Sequence, residues 1–576
     1  MRRFFPVIDW LPEYSRIDLP GDLKSGLSVG VLLVPQAMAY AMIAGLPPVY
    51  GLYASLFPLL IYAVFGTSRH LGIGPVAMDS LLVAAGLGMI GANSPAEYIT
   101  LAIGLAFLVG AIQLILGILQ MGFLVNFLSK PVISGFISAA ALIIILSQLK
   151  HLFGVDIENS NRIYELLINA VEAFPRIQVY DFIIGVIGIM LIVILRKWKP
   201  KFPGILLVVV LGILSAYLFN LEALGVSLVG KIPIGLPVWD VPKVSLDIVL
   251  KLWPIALTLA LIGYLEAISI GKGIEEKNNE DRIDANQELR ALGLSNLLGS
   301  FFQSYPVTAS FSRSALLNET GSRSNIAGLI SGILVVLTLL FLTPVFYFLP
   351  KAILASIIMV TVFKLIEVSY ARTLWFLRRD EFYILLGTFI ITLFIGITQG
   401  ILVGVLLSLL LMVYRTSKPH FAVLANIKGT DYYRNVDRFS EDIEVRPDLL
   451  IIRFDAQLYF ANAAYFKRRL LRYIDKKGPE LKGVILNAEA INYMDSTATR
   501  MLVKTISKLR ERGLDFYITG AIGPIRDIVF SSDIIEVVPK THLFVRIMEA
   551  VAYHDQQESP SPMREKVVQQ RKGPGK

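Results

Sequence analysis

The chain has 576 residues, 55% hydrophobic and 17% charged, with a mean hydropathy of +0.63, which is too apolar for a soluble protein of several domains and indicates a polytopic membrane protein. The net charge of +9 is carried by clusters that flank apolar segments, Arg196-Lys197-Lys199-Lys201, Arg372 with Arg378 and Arg379, and Arg415 with Lys418, a positive-inside pattern that argues against a nucleic-acid partner. There is no cysteine, and His70, His151, His420, His542 and His554 make no metal-ligand spacing, so disulfides, thiol chemistry, metals and other cofactors are not expected.

Residues 1–21 read as a cytoplasmic N-terminal segment, and 22–418 as the transmembrane part. The first apolar segment runs from about Asp22 to Gly45 and lacks a small-residue cleavage site, so it is expected to stay in the membrane. Near its middle, Pro35 frees a backbone carbonyl and Gln36 brings an amide to the same depth. Further segments fall near 51–66, 75–91, 97–120, 123–149, 178–197 and 203–220, then near 250–275, 285–302, 307–317, 325–344, 345–366, 381–397 and 400–415. That makes about fourteen on the criterion of roughly 20 apolar residues each.

Two stretches break the membrane pattern in the same way, Gly66 to Ser80 and Ser304 to Ser314. Each leads through a Pro into an apolar helix too short to cross a bilayer comfortably. Such a helix starts inside the membrane with unpaired N–H groups and the positive end of its dipole, and two that face one another form an anion site. Pro306 lies 231 residues after Pro75, and the same offset carries Pro254 back to residue 23. The spacing predicts two repeats of seven segments, at about 22–220 and 250–415. An odd number per repeat inverts the second copy.

From about Pro419 the charge density rises and the apolar runs shorten. Residues 419–555 are expected to form a small cytoplasmic α/β domain, with strands at Leu449–Phe454, Gly483–Asn487 and Leu514–Thr519. Helices are expected at Ala464–Ile474, Ser496–Arg512, near Pro524–Phe530 and near His542–Tyr553. The tail 556–576, rich in Pro, Gln, Ser and Lys, reads as disordered.

The run Pro35-Gln36-Ala37-Met38-Ala39-Tyr40-Ala41, then Ala44-Gly45-Leu46-Pro47-Pro48-Val49-Tyr50-Gly51-Leu52-Tyr53, with Gly66-Thr67-Ser68-Arg69, Gly74-Pro75-Val76-Ala77 and Gly299 through Ser314, resembles the sulfate permease (SulP) family of anion transporters over nearly the whole chain. The C-terminal part is similar to the STAS domain of that family, with Asn487 to Thr497 at its central strand and turn. The resemblance implies fourteen segments in two inverted repeats, core and gate domains, a homodimer, and an anion held between the third and tenth segments in an elevator-type cycle. Proton-coupled members carry a Glu where Glu266 stands, and sodium-coupled bicarbonate relatives an Asp.

Glu266 lies within an apolar helix, where a carboxylate costs on the order of 2.5 to 3.5 kcal/mol on insertion scales and normally faces a site or cavity. It is the expected carrier of the coupling proton; the alternative is a carboxylate bonded to a neighbouring helix end. Arg313 adds a fork-shaped positive charge near the anion, with Ser310, Ser312 and backbone N–H groups as donors; alternatively it pairs with Asp79. Asp79 departs from the family pattern, which has an apolar residue there; it is expected either to pair with Arg313 or to titrate. Gln36, Tyr40, Val76, Ala77, Ser80 and Phe311 complete the expected cavity, and each has an ordinary packing alternative. Ser496 stands where signalling relatives are phosphorylated, although as a helix N-cap it has a structural reason to be there, and Ala498 replaces their glycine.

The chain thus reads as a carrier in the inner (plasma) membrane with both termini cytoplasmic, not an enzyme, that moves sulfate with protons. The rivals are a bicarbonate or mixed-anion carrier, with sodium coupling, and a membrane-tethered STAS sensor.

Overall fold

The computed structural model describes residues 5–558 except 91–93, 124–128, 158–159, 161, 199–203, 280–282 and 440–442, and only the backbone of 89, 397, 398 and 401. The Met1-Arg2-Arg3 start, Lys199, Lys201 and residues 559–576 of the expected tail lie outside the described residues. The chain divides into two compact units, Met1–Ser408 and Leu409–Lys576.

The first unit is helical. In chain order it contains α1 (Leu19–Ile43), α2 (Pro48–Ala54), α3 (Phe57–Phe65), strand β1 (Ile73–Gly74), α4 (Ala77–Ile90), α5 (Pro95–Ile118), α6 (Lys130–Ser147), α7 (Val179–Trp198) and α8 (Gly204–Leu218). The second half has α9 (Leu246–Asn278), α10 (Ala285–Ser300), strand β2 (Thr308–Ala309), α11 (Phe311–Thr320), α12 (Ile326–Leu337), α13 (Lys351–Phe363), α14 (Arg379–Phe394) and α15 (Ile397–Ser417). The sequence sets several of the boundaries. Ser94 caps α5 by accepting from Glu97 N at 3.2 Å, and the Asp284 carboxylate caps α10 through Asn286 N and Gln287 N. Asn279 ends α9 and Gly321 ends α11 with left-handed backbone. Past α12 a π turn at Thr338–Leu342 leads into Thr343–Phe346, where Pro344 supplies no N–H to an α pattern.

Among the described residues eight helices are long and apolar enough to cross a bilayer, and Ala77–Gly88, Gly204–Leu218 and Leu402–Ser417 are shorter apolar helices. The expected fourteen is therefore not reached on length and apolarity alone. The remaining candidates are polar or short: α10 contains Gln287, Glu288 and Asn296, α11 has ten residues, and α14 opens on Arg379-Asp380-Glu381. The helices Ile163–Ala173 and Val368–Leu377 were not foreseen. Small residues set the α5–α10 contact: a Cβ on Gly110 would stand 2.3 Å from Leu297 N, and one on Gly293 2.5 Å from Leu114 N.

The second unit is an α/β domain. Its sheet runs β4 (Tyr433–Asn435), β3 (Phe421–Ile427), β6 (Leu449–Phe454), β7 (Gly483–Asn487), β8 (Asp515–Thr519), β9 (Leu543–Phe544), with β5 (Ile443–Glu444) also on β3. β6, β7, β8 and β9 are parallel, as crossover helices require, and β3 is antiparallel to β6. Helices α16 (Ala463–Lys477), α17 (Ser496–Glu511) and α18 (Gly523–Ser531) follow the expected pattern. The last helix does not: residues 540–544 form a turn and β9, and α19 occupies Ile547–Glu558 instead of 542–553.

Candidate functional site

The two broken segments meet. β1 and β2 pair antiparallel, Ile73 opposite Ala309 and Gly74 opposite Thr308, and all four residues are buried. The chain therefore passes this point in opposite directions, as inverted repeats require. Ser310 N donates to Gly72 O at 3.0 Å, and Gly72 N donates to Ser314 Oγ at 3.0 Å. Asn296 of α10 grips the peptide of Val307 from both sides, accepting from its N–H at 2.8 Å and donating to its carbonyl at 3.0 Å, and also donates to Gln113 of α5. Thr308 Oγ1 donates to Gly263 O of α9 at 2.6 Å. Two buried carboxylates hold the loops that flank the crossing. Glu288 accepts from Thr67 N, Thr67 Oγ1, Ser68 N and Tyr62 Oη; Asp22 accepts from Arg323 N, Ser324 N and Ser324 Oγ.

Arg313 is fully buried. Its Nη1 donates to Pro75 O at 2.9 Å and its Nε to Gly72 O at 3.4 Å, while Nη2 has no partner. It does not take up the alternative of pairing with Asp79: among the described residues no ion pair joins them. The guanidinium is turned instead toward the carbonyls of Pro75 and Gly72, the second of which also accepts from Ser310 N. Asp79 lies against α9, its Oδ2 3.4 Å from where a Cβ on Gly263 would stand, and its Oδ1 has no partner. Glu266, one turn further along α9, also has an unpartnered oxygen, Oε2. It opens onto a small cavity lined by Met78 of α4, Phe136 of α6, Leu265 and Ser269 of α9, and Phe311 of α11.

The other expected residues divide into three groups. Gln36 is fully buried with both amide atoms unpartnered. Tyr40 is buried within electrostatic reach of Arg313, and Ser80 Oγ is 3.0 Å from Tyr305 Oη. Val76 and Ala77 are at the start of α4, half-buried and buried. Ser310 Oγ is 3.2 Å from Ser312 Oγ, with Ser312 exposed, and Phe311 is 48% exposed on the cavity wall. Far along the chain, Ser496 is exposed and is the first residue of α17, not its cap. Asp495 does the capping, accepting from Ala498 N at 2.8 Å and Phe460 N at 2.9 Å. Sequence reasoning missed Gln113, Asn296, Glu288, Asp22 and Tyr305. Polar side chains at membrane depth were a usable signal for the first three.

A family model described as the sulfate permease family matches residues 19–388, and one described as the STAS domain matches 441–550. Sulfate transporter 4.1, chloroplastic, of Arabidopsis thaliana is 38% identical over 565 residues, covering 95% of this chain and 82% of that protein. A probable sulfate transporter of Mycobacterium tuberculosis is 33% identical over 546 residues, covering 95% and 97%. The solved structure of the murine Solute Carrier 26 family member A9 anion transporter in the inward-facing state superposes with a TM-score of 0.88 at 27% identity, covering 96% of this chain and 94% of that one. These relatives are membrane transporters, not enzymes. With the family model spanning most of the helical unit and relatives above 30% identity along nearly the full length, the chain belongs to the sulfate permease family.

Proposed function

We propose that this protein is a secondary active carrier of a small inorganic oxyanion, with sulfate as substrate and protons as the coupling ion, working by elevator-type alternating access. The observation that carries the reading is the antiparallel crossing of β1 and β2, beside which the Nη2 of Arg313 is buried without a partner; Gln36 of α1 is also buried with both amide atoms unpartnered. Donors fixed in a water-poor site bind an anion without having to be reorganised, and guanidinium geometry suits an oxyanion. Ser310 and Ser312 add hydroxyls at the start of α11, and Tyr40, Val76, Ala77, Ser80 and Phe311 shape the surroundings. Glu266, on the cavity wall with a free oxygen, carries the coupling proton, and Asp79 lies beside it. The carrier works as a homodimer in the inner (plasma) membrane, with the C-terminal domain and both termini in the cytoplasm.

The test is uptake of labelled sulfate and labelled bicarbonate into proteoliposomes, with proton and sodium gradients imposed separately. Saturable sulfate uptake driven by an acid-outside gradient is the expected result. Sodium-driven bicarbonate uptake without sulfate uptake would replace this reading with the bicarbonate carrier, and uptake of neither would favour a sensor.

A further inference from the structure

Two acids, not one, lie at the centre of this carrier. Asp79 is 2% exposed and Glu266 7%. They come from helices α4 and α9, which meet where Asp79 Oδ2 abuts Gly263, one helical turn from Glu266, and the two carboxyls lie within electrostatic reach of one another. Among the described residues neither makes an ion pair, and each has an oxygen with no hydrogen-bond partner. Tyr305 lies within electrostatic reach of Asp79, and Arg313, whose Nε and Nη1 are engaged by backbone carbonyls, lies within reach of Tyr305 and Tyr40. Two neighbouring carboxylates in a water-poor interior with no cation of their own are strongly unfavourable, and protonation is the available relief.

We infer that Asp79 and Glu266 take up protons as a pair, so that each anion moves with as many protons as it has negative charges: two with sulfate. This rests on the carrier reading above. The charge count is the argument. Empty, the cluster holds one guanidinium and two carboxylates, a net −1. Loaded with a dianion and two protons, it holds the guanidinium, two neutral acids and −2, again a net −1. A cluster with the same charge on both legs of the cycle does no net work against the membrane potential. A monovalent anion with one proton gives the same count.

The experiment uses the full-length protein in proteoliposomes, with labelled sulfate, a set pH difference, and a membrane potential clamped by potassium and valinomycin. One pH unit, acid outside, is expected to sustain about 100-fold accumulation, since each proton contributes a factor of about ten. A potential of either sign is expected to leave that ratio unchanged. Asp79→Asn is expected to lower it to about tenfold per pH unit and to lose about a further tenfold for each ~60 mV, inside negative. Asp79→Glu, which keeps the acid, is expected to retain the wild-type ratio.

A wild-type ratio near tenfold, or one that follows the potential, would overturn the paired-proton inference while leaving the carrier reading intact. So would an Asp79→Asn protein that still reaches 100-fold independently of potential. No pH-driven sulfate accumulation at all by folded wild type would remove both. If Asp79→Asn fails to fold, the voltage response of the wild type decides alone.

Discussion

Asp79 and Arg313 occupy corresponding places in the two halves, each the third residue of a helix that begins just after a short buried strand. Their surroundings differ. Arg313 reaches across the crossing to the carbonyls of Pro75 and Gly72 in the other half, with one nitrogen to spare. Asp79 has no counter-charge and one oxygen without a partner. The next residues repeat the contrast: Ser314 Oγ accepts from the Gly72 backbone, whereas Ser80 Oγ meets the Tyr305 phenol. Duplication fixes where the helices begin. The side chains then make one half an anchor with a free donor and leave the other with an acid that has no counter-charge.

The contrast breaks most completely if Arg313 is removed. Arg313→Met would leave the buried Pro75 carbonyl without its donor, at about 1 to 3 kcal/mol, while Gly72 O keeps Ser310 N, and would take the positive charge from the site. Loss of affinity on the order of 2 to 5 kcal/mol is expected, the cost of stripping one partner from a buried charged contact. Sulfate uptake and thermal unfolding in detergent should both fall. Uptake near wild type would mean that the helix ends alone hold the anion.

The loop clamps compare the halves at a second level, since Glu288 holds the loop before the first broken helix and Asp22 the loop after the second. Glu288→Ala would leave the Thr67 and Ser68 amides and the Tyr62 hydroxyl without their acceptor, so destabilisation of about 1.5 to 3 kcal/mol is expected. Asp22→Ala should cost about the same, since its carboxylate also holds two backbone amides and a hydroxyl. Thermal unfolding of the two variants measures this, and a large inequality would show that the halves are not held alike.

Much of this was legible in the sequence because the signals are local. Proline after a short polar stretch marked both broken helices, and alternation of strand and helix marked β6, β7 and β8. What the sequence withheld depends on contacts far apart in the chain. Nothing near Arg313 says that its guanidinium turns to carbonyls 238 and 241 positions away instead of to Asp79. Proline spacing gave a repeat offset of 231, whereas α11 opens 234 residues after α4 (311 less 77); the prolines do not occupy equivalent positions, since Pro75 follows β1 and Pro306 precedes β2. Residues 540–544 looked helical by pattern, but edge pairing of Leu543 and Phe544 with β8 prevailed over local preference.

Gln36 separates stability from function. A buried amide with no partner destabilises the fold, so Gln36→Leu is expected to leave the unfolding temperature unchanged or higher. If the amide serves the anion, the same change should weaken sulfate affinity by about tenfold, or about 1.4 kcal/mol. A variant that is more stable and binds equally well would remove Gln36 from the site.

The smallest effect lies outside the membrane, where a carboxylate has the partner that Asp79 lacks. In the α/β unit the hydrogen bond from Arg446 holds the Asp448 carboxyl below its ordinary range, and Arg446 also pairs with Asp555 of α19 at 2.6 Å. A carboxyl so lowered contributes stability that is present above its unfolded value, near ~3.9, and lost as the pH falls through the folded value. The contribution is under about 1 kcal/mol because the pair is partly solvated. Hydrogen exchange of the α19 amides in the full-length protein, corrected for intrinsic rates, should therefore be flat from neutral pH to about 4 and rise below it. Asp448→Asn should exchange slightly faster at neutral pH and show a shallower acid rise. An unchanged acid rise in that variant would leave Asp448 without a stabilising role.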